Sequence, residues 1–284
     1  MASRTIDIHP HVISDDETAY PPTPLFGKRS DWSKERPSTV ETLIAAMDHA
    51  GVDKAAVVHS STTYGFDNSY VVDACNRYPD RLVAVGSVDM RADDAVKVIH
   101  GWANAGLVGL RIFTGGSTKA FDPTELEDPA MYPAWEACGE LGLPICIQTG
   151  ATGLPQVRAL ATRFPHVKIV LDHLARPDFT DGPPYAAAQS LFDLAPFVNI
   201  HFKLTPRTFV DAIKGGAAPE TLFPKLVETF GAQRMAWGSN YPTSEGTLEG
   251  NLNRARECLA SVSATDREWI FARTAQSLYP RLAD

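Results

Sequence analysis

No stretch of the 284-residue sequence is apolar for long enough to span a bilayer, and the amino-terminal MASRTIDIHPHV meets a polar, histidine-rich turn too early for a secretory signal. A cytoplasmic protein with no membrane partner is expected. Cysteine is scarce: Cys75, Cys138, Cys146 and Cys258 lie far apart and form no C-x-x-C pair. They fall in segments that read as helix or buried strand, so reduced core thiols are expected rather than disulfides or metal ligands. Basic residues are outnumbered, 26 against 34 acidic, for a formal charge of -8, and they are not clustered. That removes the electrostatic footprint a nucleic-acid partner or an anionic membrane would require. Internal repeats and low-complexity tracts are missing too, which excludes a solenoid.

What is present is alternation. Eight short apolar runs, at residues 5–9, 54–59, 82–88, 108–113, 144–148, 167–172, 198–203 and 235–239, are separated by stretches with helical period such as TVETLIAAMDHAG and PETLFPKLVETFG. Most runs are too uniformly apolar for a one-faced sheet, and parallel strands buried on both faces read this way. Eight strand–helix units predict an α/β chain, a single (β/α)8 TIM barrel over residues 1–284, with ATDREWIFARTAQSLYP as an extra C-terminal helix covering it. A doubly wound sheet is the alternative, but it calls for a Gly-rich phosphate turn after the first strand, which this chain lacks. Residues 13–37 and the DFTDGPP segment at 178–184 interrupt the rhythm just after strand ends, where barrel enzymes carry active-site loops.

The strand tips hold the candidate chemistry. Period-two alternation sends His9 and His11 of IDIHPHV to one side. VLDHLARPD places His173 just past an apolar run, followed by Arg176 and Asp178. MAWGSNYPTSEG ends the eighth run in Gly238, Ser239 and Asn240, before Tyr241 and Pro242. Arg111, Gln148 and Lys203 stand at the tips of the fourth, fifth and seventh runs. Arg111, Arg176 and Lys203 suit a substrate carboxylate, whereas Arg207 reads better as an internal salt bridge. His59, Tyr64, Asp67 and Asn68 follow the second run, with His59 the candidate acid or base among them.

Together, IDIHPHV, LDHLARPD and WGSNYP resemble the first, sixth and eighth strand motifs of the amidohydrolase superfamily. They are most similar to the "amidohydrolase 2" branch, which holds 2-pyrone-4,6-dicarboxylate lactonase, sugar-acid lactonases and aromatic-acid decarboxylases. VVHSSTTYGFDNSYVVDAC and VGLRIF extend the likeness over nearly the whole chain. The resemblance implies a hydrolase opening a lactone or related cyclic ester of a carboxylated small molecule, a reaction of aromatic compound catabolism. It implies His9, His11, His173 and Asn240 as the catalytic set, and His59, Arg111, Gln148, Arg176, Lys203 and Tyr241 as substrate contacts.

Three departures shape the expectation. The superfamily usually has an Asp base where this chain has Asn240, and an amide cannot take a proton from water. The proton would then go to His59, Glu245 or a strand-tip histidine. The chain has Gln148 where metal-binding members carry a His, and Arg111 rather than a metal-bridging Lys in the fourth strand. No cofactor is therefore expected, with one divalent metal, Zn²⁺ on His9, His11 and His173, as the alternative. Two other functions stay open: a metal-dependent decarboxylase or hydratase of an aromatic or dienoic acid, and a substrate-binding variant impaired by Asn240. A homo-oligomer is open as well.

Overall fold

Eight parallel strands, hydrogen-bonded in chain order, form the centre of the computed structural model, which describes residues 4–283. They are β1 (Ile6–Asp7), β2 (Lys54–Val58), β3 (Leu82–Gly86), β4 (Leu107–Phe113), β5 (Ile145–Gln148), β6 (Ile169–Leu171), β7 (Ile200–Leu204) and β8 (Met235–Trp237). The Ile8 amide donates to the Trp237 carbonyl at 3.1 Å, drawing the first strand against the last. A helix follows most strands, among them Val40–Ala50, Ser69–Arg77, Ala95–Ala105, Leu154–Arg163, Pro219–Phe230 and Leu248–Cys258. The expected (β/α)8 barrel is the observed fold, and the doubly wound alternative is excluded by a sheet that runs from β1 to β8 without a switch in order.

The uniform hydrophobicity of the strands has two destinations. One set of side chains, including Leu43, Ile99, Leu160 and Leu226 from the helices and Ile145, Phe202 and Trp237 from the strands, packs between helix and sheet. A smaller set of Ile6, Ala56, Val58, Val85, Cys146 and Val170 fills the barrel interior. The C-terminal segment plugs that interior with Ala275, Leu278, Tyr279 and Leu282, and is helical from Ala264 to Leu278 with one wider turn at Trp269–Arg273. Its expected covering role is thus more specific: it closes the end of the barrel opposite the polar strand tips.

Cys75, Cys138 and Cys146 are buried free thiols as expected, but Cys258 is only half-buried. Among the described residues no helix is long and apolar enough to cross a membrane.

Candidate active site

The chain leaves β1 by a bend rather than by regular alternation. Asp7 Oδ1 accepts the His9 amide at 2.9 Å and the Ser239 amide at 2.8 Å, tying the first and eighth strand tips together. This Asx-type turn lets both Ile8 and its neighbour His9 face the barrel interior, which strict period-two geometry forbids. A Cβ on Gly238 would lie 2.6 Å from His9 Cβ, so glycine in β8's tip makes the room for the imidazole. Burial raises the Asp7 carboxyl to about 6. His9, His11 and His173 do converge: the His9 ring centroid is 5.0 Å from each of the other two.

His173 arrives by a different device. His173, Leu174, Ala175 and Arg176 have φ of 57°, 55°, 58° and 53°, four consecutive non-glycine residues in the left-handed region. Each costs roughly 1–2 kcal/mol relative to ordinary helix. The turn aims both His173 and Arg176 into one cavity, and Asn240, at φ 51°, enters it from β8.

Beneath the cavity lies a charge cluster that the sequence reading missed. Asp172 is fully buried, 2.9 Å from Arg111 Nε and 3.0 Å from Lys203 Nζ, with His9 Nδ1 at 3.5 Å. Burial alone would raise its carboxyl, but Lys203, His9 and Arg111 hold it well below the usual carboxylate range. The sequence shows Asp172 as an acidic residue ending the apolar run of a buried strand, but gives no local sign of its partners. Lys203, expected as a substrate contact, is fully buried in this internal ion pair and does not line the cavity.

The cavity above, of about 300 Å³, is lined by His11, His173, Arg111, Gln148, Arg176 and Asn240, and also by Arg207, Trp32, Ser60 and Thr62. His11 Nδ1 lies 2.7 Å from the Val58 carbonyl. A carbonyl only accepts, so Nδ1 carries the proton and Nε2 keeps a free lone pair. Burial, then the charge of Arg111, pushes His11 down to about 3. His173 also falls to about 3, chiefly through burial, and its Nδ1 meets Thr205 Oγ1 at 2.7 Å. His9 is pushed well below its ordinary value by burial and by Lys203, so all three imidazoles are neutral. Gln148 is locked by Arg111 on one side and donates to the Gly115 carbonyl at 3.0 Å.

Arg176 and Arg207 have no ion-pair partner among the described residues. Arg176 rests on the Phe121 ring at 4.8 Å with its Nε buried and unbonded. Burial, with Arg207 and Arg111 nearby, lowers it to about 10. Arg207 is exposed at the cavity rim, which overturns its reading as a salt-bridge residue.

The hydrogen bonds place the remaining candidates as follows. His59 is buried outside the cavity wall, with Nε2 2.9 Å from the Gly65 carbonyl. Tyr64 takes the Ser14 amide on its hydroxyl at 2.8 Å, and Asn68 braces Ser87. Asp67 and Asp178 cap their own turns at Ser69 and Thr180. Tyr241 packs half-buried against the core while its carbonyl accepts the His11 amide at 2.8 Å. Glu245 is exposed outside the cavity wall, and the 178–184 segment does not line it either. Gly116 and Ser117, after β4, take the place expected for that segment, while the 13–37 loop contributes Trp32, 5.4 Å from His11.

No group of three or more His, Cys, Asp or Glu among the described residues is placed to hold a metal ion. The carboxylate beside the imidazoles is engaged by Lys203 and Arg111; the charge of Lys203 bears on all three rings and that of Arg111 on His11 and His173.

Comparison with known proteins agrees with this fold. An L-fucono-1,5-lactonase from Burkholderia ambifaria is 29% identical over 247 residues, 84% of this chain and 80% of the relative. A 2-pyrone-4,6-dicarboxylate hydrolase from Comamonas testosteroni is 30% identical over 184 residues, 64% of this chain and 55% of the relative. A crystal structure of a candidate 2-pyrone-4,6-dicarboxylic acid hydrolase from Pseudomonas putida shares the fold, with a TM-score of 0.79 at 22% identity and 99% of each chain covered. The amidohydrolase family profile matches residues 6–281, and the chain belongs to that family.

Proposed function

We propose that the protein is a hydrolase that opens a carboxylated lactone, or a related cyclic ester, by attack of water on the ester carbonyl. The observation that carries this reading is one cavity combining neutral imidazoles with two guanidinium groups free of ion pairs. Arg176 and Arg207 match a carboxylate, which each can hold through charge-assisted hydrogen bonds. Relatives named for hydrolysis of a fuconolactone and a pyrone dicarboxylate support the same chemistry.

With the carboxylate held there, the ester lies against His11, His173 and Asn240. Thr205 Oγ1 lies 2.7 Å from His173 Nδ1, and in the tautomer where Thr205 is the donor, Nε2–H hydrogen-bonds the carbonyl oxygen and stabilises the oxyanion. Asn240 Nδ2 donates to Ser244 Oγ at 2.9 Å, and its Oδ1 orients the attacking water. His11 Nε2 accepts the water proton as the oxygen bonds to the carbonyl carbon. The acyl C–O bond then breaks, and the ring oxygen takes that proton from His11 to give a hydroxy acid. A bound carboxylate offsets the charge of Arg111 and raises His11 from its low value when the base is needed. The mechanism uses no cofactor. Asn240 is a positioning group in it rather than a disabled base.

The test is a panel of carboxylated and neutral 1,4- and 1,5-lactones followed by acid release in a pH-stat. Multiple turnovers on carboxylated members are expected. Carbon dioxide release from aromatic acids on adding a divalent metal, with no lactone opened, would replace this reading by the lyase.

A further inference from the structure

A second cavity, of about 90 Å³, adjoins the first and shares Arg111 and Phe113 with it. Its character is opposite. Leu25, Phe26, Phe66, Val88, Met90 and Met131 supply apolar surface. The charges in its wall are already satisfied: Arg91 lies 3.7 Å from Asp89 and 3.6 Å from Glu125. Ser87 Oγ donates to the Arg111 carbonyl at 3.0 Å. Arg111, the remaining charge in the wall, is paired with Asp172.

The rim is built at some conformational cost. Phe26 has φ 66° and ψ 17°, a left-handed conformation that a phenylalanine rarely adopts. Its segment is pinned by Thr23, whose hydroxyl donates to the Tyr64 carbonyl at 3.1 Å and whose own carbonyl oxygen lies 2.5 Å from where a Cβ on Gly65 would stand. Gly65, at φ 59°, is the residue that admits this approach. Phe26 and Phe66 are 42% and 38% exposed, among the few large apolar side chains open to solvent, and both line this cavity. Phe26 lies 6.3 Å from Phe113, the residue at which the two cavities meet.

We propose that this cavity is a specificity subsite for an apolar arm of the substrate, so that the preferred lactone carries a carboxylate at one end and a short hydrocarbon substituent at the other. The carboxylate sits on Arg176 and Arg207, the ester against His11 and His173, and the hydrocarbon passes Phe113 to lie between Phe26, Phe66 and Met131. A fully hydroxylated or purely polycarboxylated lactone leaves this space unfilled. The assignment of an ester between the two subsites rests on the lactonase reading above.

The experiment separates the two claims. Binding of a series of 2-alkylsuccinates, from hydrogen to butyl, is measured by calorimetry on the full chain, beside kcat/KM for carboxylated lactones with the same substituents. Affinity should rise about fourfold per buried methylene until the space is full. Phe26→Ala and Phe66→Ala, at exposed positions where folding is not at stake, should each flatten that rise, and Met131→Trp should abolish it by filling the cavity. A rise in succinate affinity without turnover of any lactone would keep the subsite and remove the lactonase. Flat affinity and flat kcat/KM across the series, or a rise unchanged in all three variants, would overturn the subsite.

Discussion

At the residue scale catalysis turns on which atom holds a proton. Val58 fixes the tautomer of His11, so its Nε2 is an acceptor, and the proton that Asn240 cannot take has a destination. Introducing a carboxylate at the old position should then gain little. Asn240→Asp is expected to change kcat less than tenfold, whereas a positioned base where none existed would raise it by roughly a hundredfold or more. Turnover of one carboxylated lactone by the two proteins decides it. The two free guanidinium groups make a separate prediction. Arg176→Ala or Arg207→Ala should raise KM for a carboxylated lactone by about tenfold to a hundredfold, the worth of a hydrogen bond to a charged group, and leave a neutral lactone unaffected. Equal losses on both substrates would show that the arginines support the fold instead.

At the element scale, strands and helices were largely legible because burial on both faces leaves an apolar run with no alternation, and Gly51, at φ 71°, ends its helix as the sequence suggests. Turns were less so. Nothing in Leu174, Ala175 or Arg176 signals a left-handed conformation, which is imposed by the packing of the β6 tip. The bend after Asp7 brought His9 and His11 together for a reason other than the alternation that predicted it. The left-handed turn can be tested by contrast with ordinary helix. Ala45→Gly, on the exposed face of Val40–Ala50, should lower the unfolding free energy by about 1 kcal/mol. Ala175→Gly relieves a positive φ and should come out about 1–2 kcal/mol more favourable than that control in urea titrations. Equal costs at the two sites would contradict a strained turn.

At the scale of the whole molecule, five buried histidines, His9 among them, set the response to acid. His11 and His173 titrate at about 3 and His59 and His201 at about 4 when folded, all lowered chiefly by burial. Unfolded histidines take up protons near pH 6.5. Between about pH 6.5 and 4 the unfolded chain therefore binds more protons than the native one, and stability falls as pH falls, by about 1.4 kcal/mol per pH unit for each histidine at most. Asp7, raised to about 6, acts the other way over part of this window, because its native form holds a proton that its unfolded form has lost. The histidines outnumber it, so the urea midpoint should drop steeply from pH 6.5 to 4.5. A midpoint independent of pH there would mean that these imidazoles are protonated in the native state.

The barrel, its eight strands and the convergence of three histidines could be read from the sequence, while the charge cluster around Asp172 could not. Asp172, Lys203 and Arg111 come from the tips of three different strands, and only the closed sheet shows that they form one ion-paired cluster beneath the cavity. For the same reason Arg207 was misjudged, since pairing depends on neighbours that no local pattern reveals. The central claim is that His11 receives the proton of the attacking water, and the most direct measurement is the kcat of His11→Ala against the unaltered protein on a carboxylated lactone. The account predicts a fall of roughly a hundredfold to ten-thousandfold with product affinity retained; undiminished turnover by the variant would contradict it.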